Sequence, residues 1–173
     1  MNGKKIENAT IHQLLQLADW APTHGLTEPW RFIVYSGNSL EQFCNDHAEM
    51  YKSITPAEKF NQAKYENMKH IADKASHLVL VYMKRAEHAK IPASEEFAAV
   101  AAATQHLLLA AHTLGIAAMW STAGVTHHEV MKEYLGLRHE DVVIGLVYLG
   151  YTDEPAKEGR RNIPINEKIV WKS

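Results

Sequence analysis

The sequence predicts one domain of the α/β (α+β) class. Stretches with apolar residues every three or four positions, typical of helices, alternate along the chain with short apolar runs of strand length. A length of 173 residues is typical of one domain, and neither a repeat nor a low-complexity linker divides it. We therefore expect residues 1–173 to form a single domain, with the polar stretch 152–173 as an extended C-terminal tail.

The first half of the chain predicts three helices and two strands. Apolar side chains at 11, 14, 15 and 18 form one helical stripe, which ends where Ala21 precedes Pro22. Thr-Pro-Ala-Glu at 55–58 is typical of a helix start with a capping box. The predicted elements are a helix at 11–20 with Thr10 as N-cap, a loop at 23–28, a strand at 30–35, a helix at 40–51, a largely solvated helix from 55 to 73 and a strand at 77–83.

The second half predicts one long apolar helix between shorter elements. Ser94 is the expected N-cap, Glu95 and Glu96 suit the first turn, and Gly115 suits the end. The helix between them is rich in alanine and leucine on nearly every side, which is typical of burial all round. In a chain this short, we expect part of that burial to come from a second subunit. A strand at 117–120, a helix at 127–134 and a strand at 142–151 follow.

The composition excludes several functional classes. The formal net charge of −2 gives no electrostatic reason to expect nucleic acid or an anionic membrane as a partner. Cys44 is the single cysteine, so no internal disulfide is expected, and we predict that it is a small packing residue. The first nine residues are polar and lack the apolar region of a signal peptide. We therefore predict a cytoplasmic protein.

Three segments carry a resemblance to the nitroreductase family, in the family's order and spacing. Residues 21–32 read APTHGLTEPWRF and are similar to its Ala-Pro…Pro-Trp-(Arg/Lys)-Phe signature. Residues 104–121 resemble its buried central helix, Leu-Gly turn and short strand. Residues 144–151, followed by Arg160-Arg161 and Pro164, resemble its last core strand and tail. Each motif is weak alone, but the ordered set is specific and spans nearly the whole chain.

The resemblance implies a fold, a cofactor and a reaction. The fold is a nitroreductase-like sandwich, in which helices flank a central mixed, mainly antiparallel sheet of four or five strands and two subunits intertwine as a homodimer. The implied cofactor is FMN at the subunit interface, reduced by NADH or NADPH. The reduced flavin then passes hydride to a small-molecule acceptor such as a nitroaromatic or a quinone. Hydride transfer belongs to the cofactor, so we expect no catalytic side chain in the protein.

The resemblance also implies which residues bind the flavin. One set lies in the loop that reaches the flavin from the partner subunit, a second set forms the turn after the short strand, and two arginines are candidates for the phosphate. These residues are Thr23, His24 and Gly25, then Trp120, Ser121, Thr122, Ala123 and Gly124, and finally Arg160 and Arg161.

Structural alternatives stay open for these residues. His24 could cap its own loop, Ser121 and Thr122 could bond within their turn, and the two arginines could be a solvated pair. Trp20 is expected to anchor the end of its helix in the core rather than stack on a ligand. The spacing of the eleven histidines matches no metal motif, so no metal is expected.

The sequence departs from the family pattern at its start. Family members usually begin with a helix carrying Arg-x-Ser or Arg-Arg-Ser, which holds the FMN phosphate and the pyrimidine side of the ring. Residues 1–6 read MNGKKI, in which Lys4 and Lys5 are cations but do not match that motif. Besides the FMN-dependent oxidoreductase, two hypotheses therefore stay open. One is a truncated, non-catalytic or weakly flavin-binding member of the fold, and the other is a related flavin reaction such as reductive dehalogenation.

Overall fold

An antiparallel sheet of four strands lies at the centre of the protein. The computed structural model describes residues 1–87, 90–155 and 158–172. The strands are β1 (Trp30–Ser36), β2 (His77–Met83), β3 (Ala117–Ser121) and β4 (Val142–Gly150). Their order is β1-β2-β4-β3, and every pairing between them is antiparallel. The α+β sandwich is thus confirmed, but the expected mixed sheet is antiparallel throughout the described residues.

Helices cover both faces of this sheet. They are α1 (Asn8–Ala18), α2 (Asn38–Ile54), α3 (Gln62–His70), α4 (Ala93–Thr113) and α5 (Glu129–Leu135). Side chains of α1 and α4 form one apolar cluster with one face of the sheet, and side chains of α2, α3 and α5 form a second cluster with the other face. The central strands β2 and β4 are buried on both faces, which explains why their sequences are almost continuously apolar.

Three of the predicted helix starts are wrong. The hydroxyl of Thr55 donates to the Tyr51 carbonyl at 2.5 Å and so ends α2 instead of beginning a new helix. After a single 3₁₀ turn, α3 begins later, where the Asn61 side chain accepts the Lys64 N–H at 2.9 Å. The helix α4 starts at Ala93, so Ser94 lies within its first turn and is not the N-cap. Thr10 likewise lies inside α1, which begins at Asn8.

Within one chain, α4 is buried along one side only. Val100, Ala103 and Leu107 are fully buried, whereas Phe97 is 44% and Leu109 54% exposed. The prediction of burial on every side is therefore not met by the single chain. Trp20 is 83% exposed, so the expectation that it anchors the end of its helix in the core is wrong.

The C-terminal stretch contributes little to the core. Residues 158–172 are exposed and contain one 3₁₀ turn, Ile165–Lys168. Several apolar side chains project from them, among which Trp171 is 89% exposed. Among the described residues, no helix is both long enough and apolar enough to cross a lipid bilayer.

Candidate functional site

A cleft of about 490 Å³ lies between the α2–α3 pair and the edge strand β3. Its volume is in the range of small-molecule and cofactor sites. Its lining combines apolar walls with amide, hydroxyl, imidazole and ammonium groups. The lining residues are His47, Asn61, Ala63, Lys64, Asn67, Met68, Ile71, Met119, Ser121, Ala123 and Tyr148.

One face of α3 and of the turn before it supplies the polar rim. Asn61, Lys64, Asn67 and Ile71 are spaced by three or four residues, so they share one side of this helical segment. The adjoining side of α3 buries Tyr65, whose hydroxyl donates to Glu49. Burial of the tyrosine thus fixes the rotation of α3 that brings Asn61, Lys64 and Asn67 to the cleft lining, where the Lys64 ammonium lies over the Tyr51 ring, 4.6 Å from its centroid.

The loop after β3 forms the floor of the cleft. The N–H of Ala123 donates to Ser121 Oγ at 3.2 Å, and Thr126 Oγ1 donates to the Ala123 carbonyl at 2.6 Å. Gly124 closes the turn at a φ of +69°, a left-handed conformation that favours glycine. Within the described residues, the N–H groups of Thr122 and Gly124 donate to no protein acceptor. Two backbone donors beside the cleft are therefore free to bind a ligand.

Two buried titratable groups adjoin this floor. His47 is 2% exposed and accepts the Val125 N–H at 3.2 Å through Nε2. Burial, and secondly the charge of Lys64, lower the pKa of His47 to about 4, although a hydrogen bond with the Ala123 backbone opposes them. Burial also raises the pKa of the Tyr148 hydroxyl. At neutral pH, Lys64 is therefore the cationic group of the cleft lining.

Thr23, His24 and Gly25 lie at a different place. Thr23 and His24 line a separate cavity of about 310 Å³ against α4. The His24 Nδ1 hydrogen-bonds Glu95 at 2.6 Å, and Gly25 contacts Ile91 so closely that an added Cβ would lie 2.5 Å from its Cδ1. This cavity and the cleft share no lining residue. Within one chain, the two sets of predicted flavin contacts are thus not brought together.

Trp120 and the two arginines also lie away from the cleft lining. Trp120 pairs with Val147, which packs against α1 and α4, so its indole faces the opposite side of the sheet from Ser121. Its Nε1–H donates to the Ile144 carbonyl at 3.4 Å. Arg160 and Arg161 are exposed in the tail, where the guanidinium of Arg161 donates to the neighbouring carbonyl of Arg160 at 2.9 Å.

Sequence reasoning missed four polar residues of the cleft. His47 lies in the predicted helix at 40–51, and Asn61, Lys64 and Asn67 lie in the stretch 55–73 that is expected to be a largely solvated helix. A usable signal was present in α3, because amides and a lysine recur there at helical spacing beside an aromatic residue. No comparable signal exists for His47, which reaches the cleft floor only because α2 packs beneath it.

The antiparallel sheet, its two helical layers and the polar cleft at one edge strand define an α+β sandwich protein with a site large enough for a cofactor. The sequence model of the nitroreductase family, described as "Nitroreductase family", matches residues 2–151. The chain therefore belongs to the nitroreductase family.

Individual relatives agree with this assignment. The chain is 28% identical over 166 residues to the Bacillus subtilis protein named "Putative NAD(P)H nitroreductase YfhC", covering 95% of this chain and 84% of the relative. A crystal structure of a nitroreductase-like family protein from Bacillus cereus has 26% identity and a TM-score of 0.79, covering 98% of this chain and 87% of that one. A structure from Desulfovibrio desulfuricans, solved in complex with FMN, shares the fold at 20% identity, with a TM-score of 0.73 and coverage of 98% and 87%.

Proposed function

We propose that this protein is an FMN-dependent oxidoreductase, which passes hydride from NADH or NADPH through the flavin to a nitroaromatic, a quinone or a similar acceptor. The observation that carries the proposal is the cleft floor, where the free N–H groups of Thr122 and Gly124 adjoin the lining that includes Lys64. The FMN complex of the Desulfovibrio protein and the NAD(P)H in the name of the Bacillus subtilis relative support the choice of cofactor and donor.

The residues of the cleft fit a flavin. Bound FMN supplies the hydride-accepting and hydride-donating chemistry, and its reduced ring carries negative charge. Lys64 offers a positive charge to that anion, and the two free N–H groups offer hydrogen bonds to its heteroatoms. Met68, Ile71 and Met119 give apolar walls that exclude water from the ring. A bulkier residue in place of Gly124 would fill the floor, because its Cβ would lie 2.5 Å from His47 Nε2.

We further propose that the site is completed by a second copy of the chain in a homodimer. Thr23 and His24 line a cavity that shares no lining residue with the cleft, so we assign the two sets of flavin contacts to two different chains. The exposed apolar side of α4, with Phe97 and Leu109, is a surface that a second chain can cover. In this arrangement, Arg160 or Arg161 reaches the FMN phosphate from the tail.

The visible absorption spectrum of the purified protein, recorded anaerobically before and after NADH or NADPH, tests the oxidoreductase. We expect a bound flavin spectrum that bleaches on reduction. Lys64→Ala is expected to weaken FMN retention about tenfold by removing a charge-assisted contact. The matched control is Lys59→Ala, because Lys59 is an exposed lysine outside the cleft lining. A colourless protein that takes up no added FMN would instead favour the hypothesis of a non-catalytic member of the fold.

Two alanines of α4 differ in what a charged substitution reveals about the dimer. Ala103 is fully buried in its own chain, so a charge there disrupts the monomer and says nothing about assembly. Ala102 is partly exposed and lines the cavity that contains His24. We expect Ala102→Arg to give folded monomers in sedimentation, together with loss of FMN. A folded dimer that retains FMN in this variant would contradict the placement.

A further inference from the structure

His47 connects the helix α2 to the floor of the cleft. Its side chain is 2% exposed and packs beside Phe43, with ring centroids 5.7 Å apart and the ring planes tilted by 38°. A buried imidazole needs a hydrogen-bonding partner, and here the backbone N–H of Val125 donates to it at 3.2 Å. The two residues are 78 positions apart in the chain, so this bond ties distant segments together.

The ring also lies against the backbone of Gly124. An added Cβ at Gly124 would meet Nε2 of His47 at 2.5 Å and Cε of Met68 at 2.8 Å, both too close for a real side chain. Gly136 has a similar φ of +64°, but an added Cβ there would meet nothing within 4 Å. The absence of a side chain at 124 therefore has a packing cause in addition to the backbone conformation.

Among residues 121–126 the remaining hydrogen bonds are local, and the next link of this loop, between His127 Nδ1 and the Val143 carbonyl at 3.0 Å, goes to the sheet and not to α2 or α3. Those from Ala123 to Ser121 and from Thr126 to Ala123 span two and three residues. They shape the turn but leave its position relative to the helices undetermined. The contact with His47 supplies that position, and α2 in turn packs on α3, which carries Lys64.

We infer that His47 is a positioning residue of the flavin site: its imidazole, which accepts the Val125 N–H, holds residues 122–125 where the N–H groups of Thr122 and Gly124 adjoin the cleft. This inference rests on the proposed function, because it assigns those donors to the flavin. His47 itself needs no contact with the cofactor. It acts on the flavin site indirectly, through its hydrogen bond with the Val125 N–H and through its packing contact with Gly124.

The first test compares His47→Ala with His47→Gln. The Gln side chain carries an oxygen that can accept the Val125 N–H, whereas alanine leaves this donor unpaired and opens space beneath Gly124. We expect His47→Ala to bind FMN on the order of tenfold more weakly in a fluorescence titration, and His47→Gln to recover most of that loss. Leu40→Val, a buried change on α2 away from the loop, is the control for general destabilisation.

Hydrogen–deuterium exchange of the Val125 amide provides a readout that does not depend on flavin. This amide is expected to exchange faster in His47→Ala than in the wild type or in Leu40→Val. Gly124→Ala is expected to reproduce the loss of FMN affinity, whereas Gly136→Ala, which has the same backbone penalty without the clash, leaves the affinity unchanged.

The outcomes separate this inference from the proposed function. If the wild type binds no FMN, the proposed flavin site fails, and unchanged Val125 exchange in His47→Ala would then overturn the positioning as well. If the wild type binds FMN and His47→Ala binds it equally well, the inference is overturned while the oxidoreductase stands. Equal loss in the Ala and Gln variants would also overturn it, because the hydrogen bond would then have no part in the effect.

Discussion

Acidification should destabilise this protein because folding hinders the protonation of His47. Substituting His47 should remove this part of the pH dependence of stability. Folding buries the imidazole, and the charge of Lys64 adds to the effect, so the pKa falls from 6.5 to about 4. The unfolded chain keeps the ordinary value. As the pH falls from 6.5 to about 4, the unfolded state therefore binds a proton that the folded state does not, and the free energy of unfolding decreases.

The size of the effect follows from the two pKa values. A lowering from 6.5 to about 4 corresponds to about 3 kcal/mol, since each unit is worth about 1.4 kcal/mol. The stabilisation is complete above pH 6.5 and is lost when the pH reaches the folded pKa. His47→Gln keeps an acceptor for Val125 but has no proton to bind, so its stability lacks this component of the pH dependence.

Urea unfolding of both proteins at pH 7, 5.5 and 4, at one fixed protein concentration, measures this component. Burial also lowers the pKa of His77, but that residue titrates in both proteins and cancels in the difference. We expect the variant to gain about 3 kcal/mol relative to the wild type between pH 7 and pH 4. A difference in stability that does not change with pH would refute the reasoning.

Four further outcomes follow from individual contacts. Leu26→Gly should raise the free energy of unfolding by about 1 kcal/mol in a urea titration, because Leu26 is 82% exposed and has a φ of +52°; an unchanged value would argue against backbone strain. Gly145→Ala should cost about 1–3 kcal/mol and change the near-ultraviolet circular dichroism, because the new Cβ would lie 2.1 Å from Nε1 of Trp120. Cys44 is buried with a pKa raised to about 12, so it should resist a thiol reagent at pH 8 until urea unfolds the protein, and rapid labelling of the native state would contradict its placement. Glu96→Ala should cost about 1–3 kcal/mol because it removes the fully buried carboxylate that pairs with Arg85, whose side chain is 21% exposed, whereas an effect as small as that of an exposed glutamate would show that this ion pair contributes little.

Local sequence patterns predicted most of the elements and were least accurate at helix starts. The strands β1 to β4 were predicted within one residue at each end, because apolar runs of strand length are readable without knowledge of their partners. The capping box at 55–58 was misleading, since the hydroxyl of Thr55 bonds backward to α2. A side chain with two possible backbone partners cannot be assigned from sequence spacing alone.

The sequence by itself determined the α+β class, the family and one segment of the candidate site, the turn that contains Ser121 and Ala123. The periodicity of apolar residues and the order of the motifs are properties of the sequence itself, so they can be recognised without the structure. Only the tertiary structure decided that His47 supports the floor of the cleft, that α3 turns Lys64 toward it, and that His24 lies in a separate cavity. These relations depend on how helices pack on a sheet across long separations, and that packing is set by the whole core rather than by any local pattern.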